Sequence, residues 1–222
     1  MRWRVDVGDA STAAVHEPAF TDPLGITFVC AHGAGGHMDD GSMLAASASL
    51  RARGFDVVRF NFVYRERGSG RPDAMPQLTA CVAAVAAHVA RELKPRRVLL
   101  GGRSMGGRAA SMLLADGGFD CDGLLLLAYP LHPAGQPEKR RDAHLARIPV
   151  PVLCFNGTRD KLCEPDLMKA ATAGLPHWTQ HWLHEADHSF HVLKRSGRTD
   201  AEVQDEMAGA ARRWTDALPG HR

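Results

Sequence analysis

Apolar runs of strand length alternate with helix-length amphipathic segments along this chain of 222 residues. Unbroken runs stand at 26–31 (Ile26-Thr27-Phe28-Val29-Cys30-Ala31), 55–60, 97–101, 124–128 and 151–155, with a weaker one at 177–183. Continuous runs, rather than alternating ones, suit parallel strands covered on both faces. Between them, Leu78, Cys81, Val82, Val85 and Val89 fall on one helix face and predict a helix over 75–93. Segments 43–53, closed by Gly54, and 105–115, closed by Gly117-Gly118, predict two more. A last amphipathic helix is expected over 200–218, stopped at Pro219-Gly220. Strands alternating with helices predict an α/β class: right-handed βαβ units in a mostly parallel, twisted sheet of about seven to eight strands with helices on both faces. The first 23 residues carry the weakest pattern and fit an antiparallel hairpin at the sheet edge. With no repeat, linker or composition break, a single domain over 1–222 is expected.

Composition narrows the classes without naming a chemistry. The chain is 45% hydrophobic and 23% charged, which excludes fibrous and disordered proteins. Its net charge is +2, and its 27 basic residues are spread out, so the footprint of a nucleic-acid binder is missing. No apolar run reaches the roughly 18 residues of a spanning helix. The start, Met1-Arg2-Trp3-Arg4-Val5-Asp6, lacks the apolar core of a signal peptide, so a cytoplasmic location is expected. Cys30, Cys81, Cys121, Cys154 and Cys163 form no C-x-x-C pair and are expected as reduced, buried thiols.

In open parallel sheets the ligand site lies at the carboxyl ends of the strands. The run at 97–101 leads into Gly101-Gly102-Arg103-Ser104-Met105-Gly106-Gly107-Arg108, which contains G-x-S-x-G. A strand that turns into a helix within a few residues forces the serine into a strained conformation and demands glycine on either side. The following helix points its first N–H groups at the same place and favours an oxyanion. Two phosphate-binding readings fail on single residues. A P-loop needs Lys-Ser/Thr where Arg108-Ala109 stands, and a dinucleotide fingerprint needs glycine where Met38 follows Gly33 and Gly35. The loop His32-Gly33-Ala34-Gly35-Gly36 instead reads as an oxyanion loop, its Ala34 N–H paired with that of Met105; His32 reads as structural.

A nucleophilic serine needs a base, and the base an orienting carboxylate, in the order Ser, Asp/Glu, His. Asp160 sits just past the run at 151–155, while Glu164 and Asp166 read as charges at the start of the next helix. His188 lies in the loop after 177–183, with His184 at the strand end and His191 opening the next helical stretch. A metal cluster of His184, Asp187, His188 and His191 would lack its matching half elsewhere.

With these residues in place the chain resembles the α/β-hydrolase superfamily, and more narrowly the small bacterial proteins related to dienelactone hydrolase. It is also similar to the hydrolase-like domain of an animal testis-expressed protein and of a chromatin-complex subunit. The resemblance spans about 28–190. It rests on Ala31-His32-Gly33-Ala34-Gly35-Gly36, on Gly101 to Gly106, on Tyr129-Pro130-Leu131-His132-Pro133 and on the Asp160 and His188 loops. It implies an eight-stranded, mostly parallel sheet and a triad of Ser104, His188 and Asp160. One departure stands out: dienelactone hydrolases use a cysteine nucleophile where this chain has Ser104.

The function expected is a serine hydrolase that cleaves a small ester or thioester through an acyl-enzyme. The alternative is a non-catalytic interaction or scaffold module on the same fold. No nucleic acid, membrane, cofactor or metal is expected as a partner, and the oligomeric state is left open. The stretch from Tyr129 to Val150, about 22 residues, fits one short helix rather than a cap, so the lid is minimal. Arg65, Arg67 and Arg71 in segment 61–72 either pair with a substrate anion or form a solvated basic loop. Tyr129 and His132, at a strand end, are candidates to line the pocket.

Overall fold

A computed structural model describes residues 1–218 of the chain; the Pro219-Gly220 stop foreseen for the last helix lies outside them. Eight strands build one sheet: β1 (Arg2–Val7), β2 (Ala10–Glu17), β3 (Ile26–Ala31), β4 (Asp56–Phe60), β5 (Arg97–Arg103), β6 (Gly123–Leu127), β7 (Val152–Gly157) and β8 (Trp178–Leu183). Their order is β1-β2-β4-β3-β5-β6-β7-β8. The β1–β2 and β2–β4 pairs are antiparallel and every other pair is parallel. The edge hairpin and the mostly parallel sheet are therefore both as expected. The helices are α1 (Gly41–Arg51), α2 (Val63–Glu66), α3 (Met75–Leu93), α4 (Met105–Ala115), α5 (Pro165–Thr172) and α6 (Asp200–Asp216).

The unbroken apolar runs have a simple cause. Successive strand residues point to opposite faces, and here both faces are covered. Val29, Ala31, Leu100, Leu124 and Leu126 pack with α3 and α4 in one core cluster. Phe28, Cys30, Leu99, Leu125 and Leu127 pack with α1 and α6 in the other. Each fully buried leucine contributes about 1.5–3 kcal/mol. Cys30, Cys81, Cys154 and Cys163 are buried free thiols and Cys121 is half-buried. Burial pushes the Cys30 and Cys81 thiols up to about 12, which keeps them un-ionised.

Strand order also locates the crevice. The chain runs from β3 through α1 to β4 on one side, then returns past β3 to β5 on the other. The loops leaving β3 and β5 thus diverge at a switch point, where open α/β sheets bind ligands. Little covers that edge. The stretch between β6 and β7 holds a single 3-10 turn, Leu145–Arg147, in place of the short helix expected. Segment 61–72, read as a loop, contains the one-turn helix α2.

Candidate active site

The β5-to-α4 turn is as sharp as the spacing demands. Arg103 ends the strand, Met105 starts the helix, and Ser104 alone makes the turn at φ 48° and ψ −113°. A non-glycine residue there stores about 1–3 kcal/mol of strain, held by the structure around it. Its N–H donates to the Leu127 carbonyl at 2.9 Å. The flanking glycines answer to a neighbour rather than to each other. A Cβ at Gly106 would stand 2.6 Å from the His32 carbonyl oxygen, and one at Gly102 would stand 2.6 Å from the Ala31 nitrogen. A side chain at Gly102 would push β3 off β5, and one at Gly106 would push α4 off the end of β3.

Two loops from the far side of the sheet meet this serine. The Ser104 hydroxyl donates to His188 Nε2 at 2.9 Å, and His188 Nδ1 donates to Asp160 Oδ2 at 2.8 Å. The Asp160 carboxylate is fully buried and its other oxygen accepts the Leu162 N–H at 2.8 Å. Asn156 supports it from below, its Nδ2 donating to Asp160 Oδ2 at 3.2 Å and to the Tyr129 carbonyl at 3.0 Å. Arg103 ties the serine turn to the histidine loop. It is buried, donates to the His188 carbonyl, and sets its guanidinium 5.2 Å over the Phe190 ring. Burial holds its pKa below the usual range. Sequence reasoning missed Asn156 and Arg103; each lies beside a candidate residue but has no motif of its own.

Ala34 and Met105 line a hollow of about 380 Å³ beside Ser104, together with Arg108, Arg141 and Leu162. Met105 opens α4, where the first N–H groups have no acceptor within the helix. His32 holds the glycine loop from below. It is buried, its Nδ1 donates to the Gly33 carbonyl at 2.8 Å, and its Nε2 accepts the Phe62 N–H at 3.1 Å. Both ring nitrogens are thus occupied, in keeping with the structural role expected.

The remaining candidates lie away from the hollow's lining. Arg65 and Arg71 are not among the residues that line the hollow. Arg65 donates to the Ser69 carbonyl at 3.1 Å, Arg67 pairs with Asp73 at 2.5 Å, and Arg71 is exposed. Tyr129 and His132 are buried and are not among the residues that line the hollow. The Tyr129 hydroxyl donates to the Arg141 carbonyl at 2.6 Å. His132 bridges two loops, donating to the Pro133 carbonyl at 2.9 Å and accepting the Glu164 N–H at 3.3 Å. Glu164 stands at the N-cap position of α5 without a side-chain capping bond, and Asp166 lies in its first turn. His184 is exposed, and His191 stays in a loop, paired with Asp200 at 2.9 Å, rather than opening a helix. Among the described residues no group of His, Cys, Asp and Glu is arranged to hold a metal ion, and no helix is long and apolar enough to cross a membrane.

Comparison with known proteins extends this picture. The family described as an alpha/beta hydrolase domain matches residues 25–216. The fold is similar to that of an alpha-beta serine hydrolase homologue from Coxiella burnetii, with a TM-score of 0.77 at 18% identity over 95% of this chain and 96% of that one. It is similar to an α/β serine hydrolase without lid from Xanthomonas campestris, with a TM-score of 0.77 at 22% identity over 100% of this chain and 96% of that one. A dienelactone hydrolase from Anabaena variabilis gives a TM-score of 0.73 at 16% identity over 98% of this chain and 97% of that one.

Proposed function

The chain belongs to the alpha/beta hydrolase domain family, and from that membership we propose that it is a serine hydrolase cleaving small esters or thioesters, the whole chain acting as one domain. One observation carries the reading: Ser104 Oγ, His188 Nε2, His188 Nδ1 and Asp160 Oδ2 form a continuous hydrogen-bonded relay, with the serine strained at a strand end.

In this mechanism Ser104 attacks the carbonyl carbon while its proton passes to His188 Nε2. Asp160 keeps the proton on Nδ1, so that Nε2 is free to accept, and stabilises the imidazolium that results. The N–H groups of Ala34 and Met105 bind the oxygen on which charge develops; losing one such donor costs about 10²–10³ in rate. His188 then protonates the leaving alcohol or thiol. A water, deprotonated by the same imidazole, attacks the acyl-enzyme and frees the acid. The hollow of about 380 Å³ and the short 129–150 segment favour small substrates entering from solvent.

A fluorophosphonate probe tests this directly. Wild-type protein is expected to be labelled, and Ser104→Ala to lose both the label and the hydrolysis of short para-nitrophenyl esters. An unlabelled wild type, with Ser104 intact, would sink the proposal.

A further inference from the structure

Among the described residues, Arg108 and Arg141 stand beside Ser104 with no counter-charge. Arg108 lies one helical turn beyond Ser104, its N–H donating to the Ser104 carbonyl at 3.0 Å. Long helical side chains lean back toward the helix N-terminus, which brings its guanidinium into the hollow it lines with the serine. Arg141 comes from the opposite wall, and its backbone is pinned on both sides. Its N–H donates to the Leu131 carbonyl at 2.8 Å and its carbonyl accepts the buried Tyr129 hydroxyl at 2.6 Å.

Among the described residues, the Arg108 side chain makes no hydrogen bond or ion pair, and its Nε is buried without a partner. The Arg141 side chain makes one long bond, 3.4 Å to the Pro130 carbonyl. Neither meets a carboxylate. Arg59, by contrast, is buried and is met by Glu17 at 2.8 Å and Asp39 at 3.0 Å. The two positive charges also feel one another. Burial, then the neighbouring Arg108 charge, holds the Arg141 pKa below its usual value. Burial and the same Arg108 charge bring His144, just behind, down to about 4. Guanidinium forks match carboxylate and phosphate oxygens, and a partly desolvated pair left open is a site for an oxyanion.

Resting on the hydrolase reading above, we propose that Arg108 and Arg141 form an oxyanion subsite that selects esters carrying a carboxylate or phosphate within a short reach of the scissile bond. The assignment places the anion-binding role, one of the two readings open for Arg65, Arg67 and Arg71, on the two arginines that share the hollow with Ser104.

Matched substrate pairs test it. The para-nitrophenyl half-ester of glutaric acid is set against para-nitrophenyl valerate, and para-carboxyphenyl acetate against phenyl acetate. These place the anion on the acyl and on the leaving side. Wild-type kcat/KM is expected to favour the anionic member of at least one pair by about tenfold or more, the scale of a charged hydrogen bond. In Arg108→Gln and Arg141→Gln that ratio should fall toward one, with Arg141→Lys in between because it keeps the charge and loses the fork. Glutarate and inorganic phosphate, titrated calorimetrically into wild-type protein, separate the two anion chemistries and need no turnover. A wild type with no preference for either anionic ester overturns the subsite, as does the absence of saturable binding of both anions. A failure of the hydrolase reading shows separately, as absent fluorophosphonate labelling beside intact anion binding.

Discussion

Asp160 uses its two oxygens differently, and this makes a sharp substitution possible. One oxygen holds the loop through the Leu162 N–H, and the other receives the His188 Nδ1 proton and the Asn156 amide. In Asp160→Asn an amide N–H in place of Oδ2 would face that Nδ1 proton. The imidazole relieves the clash by moving its proton to Nε2, where it can no longer accept from Ser104. We expect kcat to fall by about 10²–10⁴ with KM little changed, which steady-state kinetics on a short ester would read. A fall confined to KM would contradict the orienting role. Ser104, Asp160 and His188 were legible because strand ends, glycines and chain order each constrain them. Arg108 and Arg141 were not. What marks them is the absence of a carboxylate neighbour, which only folding reveals, although the spacing of four residues from Ser104 to Arg108 was a usable hint.

At the scale of elements, the pattern read well where burial is two-sided and poorly where the backbone is held by side chains. Helices over 75–93 and 105–115 and the strand over 26–31 match their elements residue for residue. The stretch after β8 did not read correctly. There the Asp187 carboxylate accepts the N–H groups of Ser189 at 2.7 Å and His191 at 3.1 Å, which satisfies the backbone without a helix. The helix that follows, α6, begins at Asp200 as expected, behind a full capping box. The Thr199 hydroxyl accepts the Glu202 N–H at 3.2 Å, and the Glu202 carboxylate accepts the Thr199 N–H at 2.7 Å. That T-x-x-E signature was present in the sequence and marks the start more sharply than amphipathicity does. Because α6 covers the sheet face under β7 and β8, Thr199→Ala should cost about 1 kcal/mol and lower Tm by about 2–4 °C in a thermal melt. An unchanged Tm would mean that packing alone sets where α6 starts.

For the whole molecule, two buried imidazoles set a sensitivity to mild acid. His32 grips the glycine loop at the β3 end, and His144 donates Nε2–H to Ser111 of α4 at 2.8 Å. Burial brings each from 6.5 down to about 4. The unfolded chain therefore takes up protons, as pH falls below 6.5, that the folded chain refuses. The stability these groups contribute is fully present above that value and is lost as pH falls toward about 4. By pH 5 the loss is about 2 kcal/mol for each histidine. The carboxylates held below their ordinary value, Glu17, Glu66 and Glu206, act in the same direction but at lower pH, so the interval from pH 7 to 5 reads the imidazoles. His191 has the opposite sign, since Asp200 raises its pKa, but it is fully exposed and screened by solvent. The urea midpoint is thus expected to drop steeply between pH 7 and 5, and the drop should shrink in His144→Gln, which keeps a donor for Ser111 but does not titrate. Protonating His32 Nε2 would also break its bond from the Phe62 N–H, loosening the loop that carries Ala34 before the sheet itself gives way. Hydrogen exchange at the 32–36 amides should accordingly rise at pH 5 ahead of exchange in β5, and equal protection of the two at both pH values would rule that order out.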